Sequence, residues 1–172
     1  NYYQKALAIS TCFAPALTNL GKIELARGNK QDALSLLIKA TVCDPQLATA
    51  WENLAKAYVP LGKTQEAENA CRKAIELNPN LHNSHFLLSS ILISQSKLQE
   101  AKHPLRKTIE LKPDFANAYI NLGALLKDLG KLQDAELYTR KAIELNPNLF
   151  NSYFLLGTIL IRQKKLQEAE AS

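Results

Sequence analysis

Residues 116–149 read ANAYINLGALLKDLGKLQDAELYTRKAIELNPNL. Tyr119, Leu122, Leu126 and Leu129 recur at helical spacing, and Gly130-Lys131 then breaks the pattern. A second helix is predicted from about Leu132 to Leu145, with Ala135, Tyr138, Ala142 and Leu145 on one face. Asn146-Pro147 ends it, because the residue before a proline is pushed out of the helical region. The stretch therefore reads as one helical hairpin. Small residues such as Gly123 and Ala135 let its two backbones approach, and large ones such as Tyr119 and Leu122 fill the space around them.

The hairpin is not unique. Pro45, Pro79, Pro113 and Pro147 stand 34 residues apart, a period that signals a repeat array. Units drawn at 14–47, 48–81, 82–115 and 116–149, with a partial unit at 150–172, align without a gap. The seventh column holds Leu20, Leu54, Leu88, Leu122 and Leu156; the eighth is always small (Gly21, Ala55, Ser89, Gly123, Gly157). Every glycine falls in the eighth column or in the fifteenth, which holds Gly28, Gly62 and Gly130. Acidic residues (Asp32, Glu66, Glu100, Asp134) open the second helices and lysines (Lys39, Lys73, Lys107, Lys141) lie toward their ends, as the helix dipole favours. Residues 1–13 fit the tail of a preceding second helix, so residues 1–172 are expected to be one array within a longer protein. One hairpin cannot bury its apolar face alone; stacked neighbours do so.

Trp51, Leu54, Ala55, Tyr58, Ala67, Cys71 and Pro79 resemble the tetratricopeptide (TPR) pattern W-x2-L-G-x2-Y…A-x3-F…P, with Ala for Gly and Cys for Phe. Tyr119, Leu122, Gly123, Ala135, Ala142 and Pro147 repeat it. The resemblance covers the whole chain. It implies an all-α TPR α-solenoid, a right-handed superhelix of stacked helix-turn-helix hairpins, with first helices on the concave face and second helices on the convex face. His85 departs from the pattern where an aromatic is usual, and Glu24 where a Tyr is. Pro60 and Pro104 fall inside predicted helices and are expected to shorten or kink them. A second period of 68 underlies the first: residues 82–104 match 150–172 at 14 of 23 positions but 116–138 at only 7, so the units alternate in type.

Chemistry-bearing residues are few. His82 and His85 are spaced as metal ligands can be, but no further ligand in that helix completes a set, so an end-of-helix polar residue and a stand-in for an aromatic are expected, with no metal or other cofactor. Cys12, Cys43 and Cys71 fit no metal or redox spacing; Cys43 and Cys71 stand in columns that elsewhere hold mostly Leu and read as small hydrophobes. Three cysteines cannot all pair, which favours a reducing, cytoplasmic setting. No phosphate loop, nucleophile elbow or zinc-protease motif is present, so the segment is not expected to be an enzyme. A net charge of +5 is mild. Arg72, Arg106 and Arg140 are each four residues before Glu76, Glu110 and Glu144, which predicts solvated pairs rather than a nucleic-acid track. The most apolar stretch, Phe86 to Ile93, is too short to cross a bilayer, so no membrane partner is expected.

The resemblance places the second, fifth, sixth, ninth, twelfth and thirteenth columns in the concave groove. The residues expected to bind a peptide there are Asn19, Lys22, Asn53, Lys56, Asn83, Phe86, Leu87, Asn117, Asn121, Asn151, Phe154 and Leu155. An asparagine offers a donor and an acceptor together, which suits reading of a peptide backbone; the alternative is that these asparagines serve the repeat's own packing. The carboxylate clamp of chaperone-binding TPR domains does not fit these columns. The asparagine ladder of the O-GlcNAc transferase superhelix is matched by Asn19, Asn53 and Asn121 and interrupted by Leu87 and Leu155. The function expected is a non-catalytic scaffold holding an extended peptide or partner helix. The alternatives are a substrate-presenting arm of a larger glycosyltransferase or sulfotransferase, and a solenoid that self-associates through exposed repeat ends.

Overall fold

A computed structural model of the chain describes residues 12–170. The upstream tail expected over residues 1–13 lies almost wholly outside them. The described residues are helical: α1 (Ala14–Ala26), α2 (Lys30–Cys43), α3 (Ala48–Tyr58), a 3-10 turn (Val59–Leu61), α4 (Thr64–Leu77), α5 (His82–Ser94), α6 (Leu98–Leu111), α7 (Ala116–Asp128), α8 (Leu132–Leu145) and α9 (Phe150–Glu170). Through Ile91 they form one compact unit and from Leu92 a second.

Two kinds of turn make the hairpins. Within a hairpin, Gly28, Gly62 and Gly130 take φ of 87°, 70° and 76°. The turn-residue N–H bonds three residues back and the next N–H five back, as in Gly130 to Lys127 and Lys131 to Leu126. This is the Schellman closure, and it needs a left-handed residue. In the α5–α6 turn that residue is Ser96, at φ 61°, with the same two bonds to Ile93 and Leu92. Between hairpins, Asp44, Asn78, Lys112 and Asn146 precede prolines and are extended, with φ between −140° and −148°. The side chains of Asp44, Asn78 and Asn146 each accept the N–H two residues on, fixing the turn.

In the first unit α1 packs on α2, α2 on α3 and α3 on α4; in the second α6 packs on α7, α7 on α8 and α8 on α9. The small columns work as the sequence suggests. A Cβ on Gly21 would stand 2.6 Å from Leu37 Cγ, and one on Gly123 2.5 Å from Thr139 Oγ1. Ala33, Ala67, Ala101 and Ala135 are wholly buried in the facing helices. His85 stands in for the aromatic of its column: it is buried, and its Nε2–H donates to the carbonyl of Pro79 at 2.9 Å, as Trp51 Nε1–H donates to Pro45 at 2.9 Å.

Several expectations are corrected. The repeat predicts a turn into a second helix within the partial unit at 150–172, but α9 runs unbroken for 21 residues. Its fifteenth column holds Lys164, which stays helical, whereas Ser96 in the same column takes the left-handed turn. Pro60 does shorten α3, which tightens into the 3-10 turn at Val59. Pro104, by contrast, is buried within α6, which keeps the 14 residues of α2, α4 and α8. The ion pairs use another register: Glu76, Glu110 and Glu144 bind Lys73, Lys107 and Lys141, whereas Arg72 and Arg140 turn back to Glu68 and Glu136. Finally, Cys43 is not a free core thiol. It is bonded to Cys12, with Cα atoms 5.4 Å apart; Cys71 alone is free and buried.

Candidate peptide-binding face

In the first unit α1 lies against α3. Asn19 is half-buried and Lys22 exposed on α1. On α3, Asn53 is only 7% exposed, and its Nδ2–H donates to the carbonyl of Thr49 at 2.6 Å. Lys56 is half-buried and ion-paired with Glu52 four residues earlier. On α5, Asn83 is exposed and Phe86 and Leu87 are half-buried.

In the second unit α7 lies against α9. Asn117 and Asn151 are exposed and Asn121 is half-buried. Phe154 is 77% exposed, whereas Leu155 is buried. The candidates thus divide. Asn19, Lys22, Asn83, Asn117, Asn121, Asn151, Phe86, Leu87 and Phe154 present reachable surface; Asn53 and Leu155 lie under cover. For Asn53 the helix's own backbone takes one of the two amide N–H donors.

One polar link was missed by the column reading. Glu52 is 7% exposed, and beside the Lys56 pair its Oε2 accepts Ser84 Oγ–H at 3.1 Å, which ties α3 to α5. A buried carboxylate is tolerable only when its lone pairs are occupied, and here two side chains occupy them. The signal was present. Glu52 is the one carboxylate in the fifth column, and Ser84 and Ser152 are the two hydroxyls in a third column otherwise made of Ala16, Ala50 and Ala118. In the second unit the fifth column offers Ile120 instead, and Ser152 Oγ is buried without a hydrogen-bond partner among the described residues.

Cys71 lies close enough to this link to feel it. Burial first, and then the Glu52 charge, push its thiol up to about 12, so it stays protonated and inert. On α8, Glu136 accepts from Arg140 of the same helix at 2.8 Å and from Gln163 of α9 at 3.0 Å, and these hydrogen bonds hold its carboxyl below the usual range. Among the described residues no group of three or more His, Cys, Asp or Glu side chains is placed to hold a metal ion, and no helix is long and apolar enough to cross a membrane.

Stacked helical hairpins with this turn chemistry, whose first helices carry an asparagine- and lysine-bearing face, define the chain as an all-α TPR solenoid. The chain belongs to the family of the Cilia and flagella-associated protein 70 C-terminal domain, whose profile matches residues 1–172. No curated protein sequence matches it. Among solved structures, MamA is 30% identical over 84% of this chain and 85% of its own, with a TM-score of 0.77. PilF of Pseudomonas aeruginosa is 25% identical over 92% and 72% of the two chains, TM-score 0.79. YrrB, described as a TPR protein with an unusual peptide-binding site, is 20% identical and shares the fold over 95% and 84%, TM-score 0.85.

Proposed function

We propose that the chain holds an extended peptide segment of a partner protein against its first helices, through Asn19, Lys22, Lys56, Asn83, Phe86 and Leu87 in the first unit and Asn117, Asn121, Asn151 and Phe154 in the second, with the covered Asn53 and Leu155 supporting the face from beneath. The observation that carries this reading is selective exposure. The columns facing the second helices are buried, such as Leu54, Ala55, Leu88, Leu122 and Leu126, whereas most of the sixth-, ninth- and second-column side chains remain reachable. The unusual peptide-binding site of YrrB is consistent with it. Exposed amides would pair with the ligand backbone, and Phe86 and Leu87 would take an apolar side chain.

The test is a titration of variants against one peptide selected on the wild type. Asn19→Ala with Asn121→Ala is expected to weaken binding by about five- to 150-fold, at roughly 0.5–1.5 kcal/mol per lost amide contact. Lys73→Glu and Lys141→Glu, on the second helices, are expected to leave it unchanged. Arg72 is unsuitable as a control because it neutralises Glu68, which is 4% exposed. Loss of affinity only in proportion to lost folding would reassign the asparagines to packing.

The terminal helix supports a second reading, self-association. Phe150, Tyr153, Phe154, Leu160 and Ile161 are between 40% and 84% exposed, and a Cβ on Gly157 would meet nothing within 4 Å. The cytoplasmic setting expected from the cysteines belongs to this proposal for the chain with Cys12 and Cys43 reduced; their disulfide supports an oxidising setting instead. Rapid alkylation of the chain in its native compartment distinguishes the two.

A further inference from the structure

Cys12 lies exposed two residues before α1, and Cys43 is the last residue of α2. The Gly28 turn joins the other ends of the same two helices. The disulfide, spanning 31 residues, therefore closes the α1–α2 hairpin into a covalent ring. Repeat geometry brings these two positions together. In the second unit the residues at the same columns, Asp114 before α7 and Leu145 ending α8, line one cleft with Phe115 and Asn146. Only the first hairpin carries cysteine at both positions; Leu77, Leu111 and Leu145 hold the column of Cys43 elsewhere.

Three cysteines allow three pairings, and the structure reduces them to one. Cys71 is wholly buried in α4. Its thiol is protonated by the effects described above, and thiol exchange proceeds through a thiolate. Cys12 is exposed and Cys43 half-buried, so an oxidant can reach the pair from solvent.

We propose that Cys12 and Cys43 form a redox site that locks the first hairpin, oxidised by a small-molecule or protein disulfide. One cysteine thiolate attacks the incoming disulfide, releasing its first half as a thiol and leaving a mixed disulfide. The second cysteine's thiolate attacks the protein sulfur of that bond and releases the other half. The pair loses two electrons to the oxidant, and its two protons end on the two thiols released. Closing the loop restricts the unfolded chain, so the oxidised hairpin opens less often than the reduced one.

The chain is equilibrated in defined mixtures of oxidised and reduced glutathione, quenched in acid, alkylated and weighed. Oxidising mixtures should give one intramolecular disulfide per chain, mapped by peptide mass to Cys12 and Cys43, with Cys71 alkylated only after unfolding. Oxidation should slow amide exchange in α1 and α2 at least tenfold and raise the thermal midpoint of that region by about 5–10 °C. Both shifts should vanish in Cys12→Ser, whose exposed position makes it safe for folding, and should persist in Cys71→Ser. The proposal is overturned if glutathione disulfide yields no intramolecular bond, if the bond formed includes Cys71, or if exchange and melting are the same in the two redox states.

Discussion

Gly21, Gly123 and Gly157 occupy one column yet differ in what surrounds them. Alanine in place of a mid-helix glycine gains about 0.5–1 kcal/mol of helix propensity. At Gly157 that gain is uncontested, because the space beyond it is open. At Gly123 the new methyl meets Thr139 Oγ1 at 2.5 Å and the Ala135 carbonyl at 3.2 Å, and Thr139 Oγ1 is already bonded to that carbonyl. Overpacking of this kind costs about 1–3 kcal/mol. In urea melts Gly157→Ala is therefore expected to be neutral or stabilising by up to about 1 kcal/mol, and Gly123→Ala destabilising by about 1–2 kcal/mol. Gly21→Ala should resemble Gly123→Ala, since the new methyl meets Leu37 Cγ at 2.6 Å and Leu37 is wholly buried. The column was legible in the sequence because every unit has a small residue there. Its uneven cost was not, because cost depends on what the facing helix places opposite.

At the scale of helices, the sequence exposed the regular hairpins well. The predicted second helix at 132–145 matches α8 as found, because Gly130 and Pro147 punctuate both of its ends. It served less well where punctuation was missing or misleading. Ser96 takes a left-handed turn that its neighbours assign to glycine, and only alignment to the fifteenth column would reveal it. Lys164 in that column stays helical, and α9 then reaches both helices of the preceding hairpin: Arg162 donates to the carbonyl of Lys127 on α7 at 3.1 Å and Gln163 to Glu136 on α8. The second of these contacts is acid-sensitive. The folded-state pKa of Glu136 is depressed, so its contribution is fully present above the ordinary carboxylate range and lost as pH falls through the lower folded value. Amide exchange in the C-terminal half of α9 is therefore expected to rise below about pH 4. In Glu136→Gln the exchange should be insensitive to pH in that interval once the intrinsic rate is subtracted.

For the whole molecule, the repeat period settled the architecture before any side chain was placed, because a 34-residue unit with fixed small columns has few ways to pack. The candidate face was only partly legible. Column membership locates Asn53 with Asn19 and Asn121, but it cannot say that Asn53 bonds its own helix. Nor could it pair Cys12 with Cys43, which meet only through the hairpin's return. The apolar end presented by α9 carries an expectation of its own. If copies meet through it, sedimentation at rising concentration should show a weight-average mass above the 19.1 kDa monomer. Ile161→Asp, at a position 60% exposed, should restore the monomer without loss of helicity. A concentration-independent monomer for the parent chain removes this mode of association and leaves the peptide-binding proposal untouched.

The covalent ring of the first hairpin also bears on how the chain responds to being pulled. A reduced chain drawn out from its two ends can release every residue as contour. An oxidised one withholds the segment from Cys12 to Cys43, 31 residues at about 3.4 Å each, so its full extension falls short by about 100 Å. A machine that threads single strands through a narrow pore would meet a doubled strand at that point. The redox state of two sulfurs would then set whether the chain can be drawn through the pore at all.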